Sequence, residues 1–119
     1  MSRTLTFAGT LTWPLEDGKQ AAIHSLAISM TYTAALYVEK PYSVAAIDEV
    51  VELPVASAKM LLIEASGADL QIKLNNSTVA LTVKTGAGFI LIHNPDGAIT
   101  GVKVSTTTVP ATLKMYVFA

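Results

Sequence analysis

The sequence predicts an all-β protein, a two-sheet antiparallel β-sandwich of jelly-roll-like form. Three observations carry that expectation. Apolar residues recur at every second position along most of the chain, the spacing of a strand with one face on a core. The strand-like runs are short and return about every 8 to 12 residues with turn chemistry between them, the pattern of a sandwich or barrel. Where alanines could favour a helix, at 21 to 35, interspersed Ser, Thr and Tyr favour a pleated surface.

Taken in order, "TLTF" places Leu5 and Phe7 on one face, and "TLTW" does the same for Leu11 and Trp13. From residue 22 the even positions run Ala22, His24, Leu26, Ile28, Met30, Tyr32, Ala34, Leu36 and Val38, while Ser25, Ser29, Thr31, Thr33 and Glu39 lie between them. So long a run is expected to bend or break once and give two strands. "EVVELPV" (49 to 55) and "KMLLIEA" (59 to 65) follow, with Pro54 marking an edge or a strand end. "DLQIKL" alternates Leu70, Ile72 and Leu74 inward, "NNS" turns the chain, and "TVALTV" would bury Val79, Leu81 and Val83. "KTGAG" turns it again into "FILIH", and "AITGVKVS" and "ATLKMYVFA" close the chain, the last with Leu113, Met115 and Val117 on one face. The expectation is one domain over 1–119 with about nine strands. Its core should include Leu26, Ile28, Leu70, Ile72, Leu81, Ile90, Ile92, Val104 and Val117.

The "HNPDG" stretch gathers polar residues between two apolar runs, and turn chemistry accounts for it. Asn94, Pro95, Asp96 and Gly97 suit the four places of a type I turn in order. His93 is then a strand-end residue, not a ligand or a general base. The chain has only His24 and His93, too few for a cupin-like metal site without carboxylates, and no serine sits in a Gly-x-Ser-x-Gly elbow. The carboxylate pairs Glu16-Asp17 and Asp48-Glu49 are expected in turns, and "TGAG" lacks the lysine and helix of a phosphate loop. These residues predict neither enzyme activity nor a cofactor.

Composition excludes further classes. The chain is 51% hydrophobic and 14% charged with a net charge of −1, and its lysines are scattered singly, without the basic stripe that nucleic-acid binding needs. No apolar run reaches the roughly 18 to 20 residues of a membrane helix, and the start "MSRTLTFAGT" does not read as a signal peptide. Without cysteine, thiol chemistry and disulfides are excluded. The Asn-x-Ser/Thr triplets at 75 to 78 are read as turn residues. Among aromatics, Trp13, Tyr37 and Tyr42 are candidates for a sugar-stacking platform, with core packing as the simpler role.

So little charge on a domain of this size implies apolar surface buried against other chains. A closed homo-oligomer is expected, with the strand at 111 to 119 at or near the contact. Tyr37, Tyr116 and Phe118, on the second faces of their strands, are the candidate interface residues.

From residue 59 onward, the ladder "KMLLIEASGADLQIKLNNSTVALTVKTGAGFILIHNPDGAITGVKVSTTTVPATLKMYVFA" resembles the C-terminal half of small virion structural proteins of tailed bacteriophages. The likeness lies in the polar "DLQIKLNN" ribbon, the glycine-led "GFILIHN" strand and a threonine-rich pair closing in an aliphatic-aromatic terminus. It covers about half the chain and transfers no functional residue. It implies a β-sandwich oligomer, with a trimer as the number suggested, that decorates or cements a capsid or serves as a head-tail accessory. The major capsid protein or other virion proteins would be its partners. Such a protein is made in the host bacterial cytoplasm and resides in the virion. A carbohydrate- or receptor-binding module of the same fold is the alternative.

Overall fold

The computed structural model describes residues 2–13, 22–86, 88–94 and 98–119, with backbone alone at 11–13 and 22–26. Ten strands and no helix occur among these residues. Contacts divide the chain into two compact units, residues 1–33 and 34–119.

The first unit is a hairpin of β1 (Arg3–Trp13) and β2 (Ala22–Tyr32), a two-stranded antiparallel sheet of its own. Its register runs without a break from Arg3 opposite Tyr32 to Trp13 opposite Ala22. Because cross-strand partners share a face, Leu5 with Met30 and Phe7 with Ile28 form one side, and Thr4 with Thr31 and Thr6 with Ser29 form the other. Leu26 and His24 belong to this unit, with only their backbone described.

The second unit holds β3 (Ala35–Tyr42), β4 (Ala46–Val51), β5 (Met60–Ser66), β6 (Leu70–Leu74), β7 (Leu81–Val83), β8 (Phe89–His93), β9 (Val102–Thr106) and β10 (Ala111–Phe118). One sheet has the order β3-β10-β5-β8 and the other β4-β9-β6-β7, antiparallel throughout. This order has a simple origin. Residues 34–119 behave as one long hairpin in which β3 pairs β10, β4 pairs β9, β5 pairs β8 and β6 pairs β7. Rolling that ribbon up adds the pairs β10–β5 and β9–β6 and sends successive strands to alternate sheets. The product is the eight-stranded jelly roll. The long run from Ala22 to Val38 does break once, at Thr33 and Ala34, into β2 and β3, the latter continuing to Tyr42.

The core lies between the two sheets. Leu61, Ile63, Leu113, Met115 and Val117 from one meet Leu70, Ile72, Val83, Val102 and Val104 from the other, all fully buried. Period two places them there: β10 buries Ala111, Leu113, Met115 and Val117 and leaves the residues between them more accessible. Of the expected core, Leu70, Ile72, Val104 and Val117 are buried, and Ile90 and Ile92 pack against the cluster half-buried. Leu81 is not buried. β7 is a three-residue edge strand that begins at Leu81, and Val79 ahead of it is 68% exposed, so only Val83 reaches the core. The second difference is β4, which spans Ala46–Val51 and stops short of "ELPV". A bulge between Ala46 and Glu49 puts Asp48 at φ 46°, so Asp48 and Glu49 sit in a strand, not in a turn.

The "NNS" turn is present and does more than reverse the chain. Asn75 adopts φ 53°, a left-handed conformation that asparagine tolerates. Its Oδ1 accepts from the Thr100 and Gly101 backbone N–H groups at 2.8 and 3.3 Å, and its Nδ2 donates to the Ala98 carbonyl at 3.0 Å. Pro95, Asp96 and Gly97, expected to form the type I turn, lie outside the described residues.

Candidate functional site

The outer face of the β3-β10-β5-β8 sheet assembles itself from cross-strand rows. Tyr37 stands opposite Tyr116, Tyr116 opposite Leu62, and Leu62 opposite Leu91, so one row crosses all four strands. A second row is Ala35, Phe118, Met60 and His93, and a third is Glu39, Lys114, Glu64 and Phe89. The tyrosine rings lie 4.9 Å apart between centroids, tilted by 40°. Tyr37 is 49% exposed, Tyr116 42% and Phe89 55%, so an aromatic field faces outward. An apolar outer face on an antiparallel sheet is the unusual arrangement, because that face ordinarily carries polar residues. The Tyr37 hydroxyl donates to Glu39 Oε1 at 3.3 Å. Desolvation first, then the Glu39 charge, hold the Tyr37 phenol above its ordinary range.

The three residues singled out as an interface therefore share one face: Tyr37 and Tyr116 in contact, Phe118 in the next row. Leu62, Leu91 and Phe89 belong to the same face and were not anticipated. Their signal was available, because "KMLLIEA" and "FILIH" are apolar at consecutive positions and so on both faces.

Of the candidate sugar-stacking aromatics, Tyr37 lies on this outer face and Tyr42 does not. Tyr42 is only 4% exposed and ends β3 on the core side, opposite the buried Ala111. Lys40 Nζ lies 5.5 Å from its ring centroid, and desolvation, with Glu49 second, pushes its phenol up to about 12. Lys40 in turn pairs with Glu49 at 2.6 Å, joining the edge strands of the two sheets beside Tyr42. Trp13 is in the hairpin unit, and nothing beyond its backbone position is described. His93 ends β8 opposite Met60, with its Nε2 buried and lacking a hydrogen-bond partner among the described residues.

The outer side of the second sheet carries a polar groove beside the exposed Val50, which lies opposite Lys103. Asp69, Gln71, Thr82, Lys84, Ser105 and Thr107 line this open groove of about 240 Å³. Asp69 accepts from the Thr85 backbone N–H and from Lys84, both at 2.9 Å, and these bonds, in that order, hold its carboxyl below the usual range. Asp48 is lowered chiefly by Lys73, which approaches within 2.9 Å, and further by Ser105. Both groups are more acidic folded than unfolded. They therefore favour the fold above the ordinary carboxylate pKa of about 4, and that contribution is lost as pH falls through their lowered values. Thermal unfolding should thus shift to lower temperature below about pH 4. The Asp48→Asn/Asp69→Asn variant should show a shallower fall over the same range, and an identical fall would count against this assignment.

Among the described residues no three His, Cys, Asp or Glu side chains gather as metal ligands. No helix among them is long and apolar enough to cross a membrane. No protein-family model, curated protein or solved structure matches the chain.

Proposed function

We propose that the protein is a non-enzymatic structural subunit of a tailed-phage virion, a homo-oligomeric capsid decoration or cement protein. It acts by surface contact, and the face of β3-β10-β5-β8 is the surface it turns to a neighbouring protein of the particle. The observation that carries this reading is the outward row Tyr37, Tyr116, Leu62 and Leu91, in which the two tyrosines are exposed and the two leucines half-buried. Large outward aromatics on a packed sheet suit a contact core, where Tyr and Phe are enriched, and the charged row Glu39, Lys114 and Glu64 suits its rim. The jelly roll adds an argument by analogy only: it is a fold of viral capsid proteins, and equally of lectins and cupins.

The test is retention on particles. The protein should copurify with virions, and Tyr37→Lys/Tyr116→Lys should cut the amount retained at least about tenfold, the equivalent of 1.4 kcal/mol or more. The variant should still fold, because both side chains project away from the core. Absence from purified virions, or full retention of the variant, would refute the proposal. The polar groove of the second sheet favours the alternative, a module that binds carbohydrate through hydroxyl, amide and carboxylate groups. Glycan binding that Gln71→Ala weakens, with no particle association, would establish that reading instead.

A further inference from the structure

The two edges of the β4-β9-β6-β7 sheet carry complementary surfaces. At the β4 edge the stretch 44–50 shows Val44, Ile47 and Val50 to solvent, 76%, 88% and 64% exposed. Ile47 is the most exposed large apolar side chain among the described residues. The bulge between Ala46 and Glu49 is the cause, since the ladder loses its register there and a bulge re-aims the side chains it holds. Aliphatic side chains set out in this way, in a strand whose inward residues Ala46 and Val51 are buried, mark a contact surface.

At the opposite edge, beside β7, lies an open hollow of about 130 Å³ lined by Leu74, Ser77, Val79 and Leu81. It exists because β7 is short. β7 pairs β6 only from Leu70 to Ile72, and residues 75–80 carry no ladder pair, so Leu74 at the end of β6 is left without a strand partner on that side. Val79 is 68% exposed and Leu81 38%, so the hollow opens outward. An apolar cavity of roughly 150 Å³ holds a benzene ring. This hollow therefore has room for one branched aliphatic side chain.

We infer that Ile47 of one copy of this chain seats in the Leu74–Val79–Leu81 hollow of the next, joining copies head to tail through opposite edges of the second sheet. Size, direction and charge pick a second copy as the occupant. The hollow fits an isoleucine, and the chain presents one. The four strands alternate, so β7 runs opposite to β4, and a copy set alongside in the same orientation keeps that alternation across the joint. From 44 to 55 the charged residues are Asp48, Glu49 and Glu52, all acidic, whereas from 75 to 88 the one charge is Lys84. Lys84 is bonded to Asp69 yet 71% exposed at its side chain, and Glu52 is exposed. The bulge keeps β4 from extending the ladder, so side chains make the joint. Knob and hollow lie at opposite edges, so two copies cannot satisfy each other, and the contact closes as a ring of three or more. Both surfaces belong to the unit 34–119. This deepens the homo-oligomeric part of the proposed function and uses a surface apart from the aromatic face.

Light scattering on the full chain at micromolar concentration tests it. The mass should be at least three times the 12.5 kDa of one chain. Ile47→Lys and Val79→Lys, both at exposed positions, should each lower it to one copy with the far-ultraviolet β spectrum unchanged. The chain has no cysteine, so crosslinking reads the joint directly. Mild oxidation of Ile47→Cys/Val79→Cys should give a ladder of covalent multimers. Ile47→Cys alone should stay uncrosslinked, because in a head-to-tail joint no Ile47 meets another. Tyr37→Lys/Tyr116→Lys should keep the native mass even where particle retention is lost. A one-copy or two-copy mass for the native chain overturns the inference, as does a larger mass that survives Ile47→Lys or a double-cysteine chain that gives no ladder. An assembly split by Tyr37→Lys/Tyr116→Lys alone would also overturn it and leave the virion reading standing.

Discussion

Leu113→Ala is expected to destabilise the jelly roll by about 3 to 5 kcal/mol, the upper part of the range for a leucine fully enclosed in a packed core. Leu113 is inaccessible to solvent, and β10 is the inner strand of its sheet, flanked by β3 and β5. Truncation there removes the transfer free energy of the side chain. It also leaves a cavity that neighbours on both sheets, such as Ile63 and Val104, can only partly fill. Leu81→Ala should cost less than about 1 kcal/mol, because Leu81 is exposed at the edge and its surroundings can relax. Urea unfolding of the two variants should separate them by at least about 2 kcal/mol. Equal costs would mean that the inward faces of β10 and β7 are misassigned.

Gly67→Ala is the second large expected effect. Gly67 sits just after β5 at φ 85°, a conformation that side-chain-bearing residues rarely adopt. A Cβ there would also lie 2.6 Å from the Pro110 carbonyl oxygen, a backbone atom that cannot swing aside. Strain and clash together should cost about 3 kcal/mol, the upper end for a residue forced into such a region. Gly86 separates the two causes. It has φ 72° with nothing within 4 Å of the added carbon, so Gly86→Ala carries the strain alone and should cost about 1 kcal/mol. Thermal melts of the two variants provide the comparison. A Gly67→Ala protein as stable as Gly86→Ala would rule out the close approach to Pro110.

Period two made the inward faces of β6, β9 and β10 legible from the sequence, because one residue in two of those strands is held between the sheets. It misjudged β7, whose Val79-Leu81-Val83 alternation is equally clean. Alternation reports that a segment can pleat. It does not report whether a second sheet covers all of it, and at the short edge strand only Val83 is covered. The bulge at Asp48 was hidden for a related reason. The backbone N–H groups of Ala46 and Asp48 are satisfied by the Thr106 and Ser105 hydroxyls of β9, partners about sixty residues away. Local turn chemistry cannot foresee such a bond.

The candidate contact face was half legible. Tyr37, Tyr116 and Phe118 could be named because they fall on the second faces of their strands. That they share a face follows from the β3–β10 register, which sequence alone does not set. Tyr42 shows the converse. It lies in the same strand as Tyr37, five residues on, and an odd separation puts it on the opposite face, inside the core. The exposed tyrosine pair supports the proposed contact role through its accessibility.

Lysine footprinting on purified particles tests the central claim most directly. Lys114 lies in the outer face of the first sheet, opposite Glu39 and Glu64. Lys84 ends the polar groove of the second sheet, and Lys103 lies opposite Lys73 on that sheet's outer side. If the aromatic face is the contact, Lys114 should react with an amine-modifying reagent in the free protein and be protected at least about tenfold in particles, with Lys84 and Lys103 unchanged. Protection of Lys84 and Lys103 with Lys114 still reactive, or absence of the protein from the particles, would contradict the account.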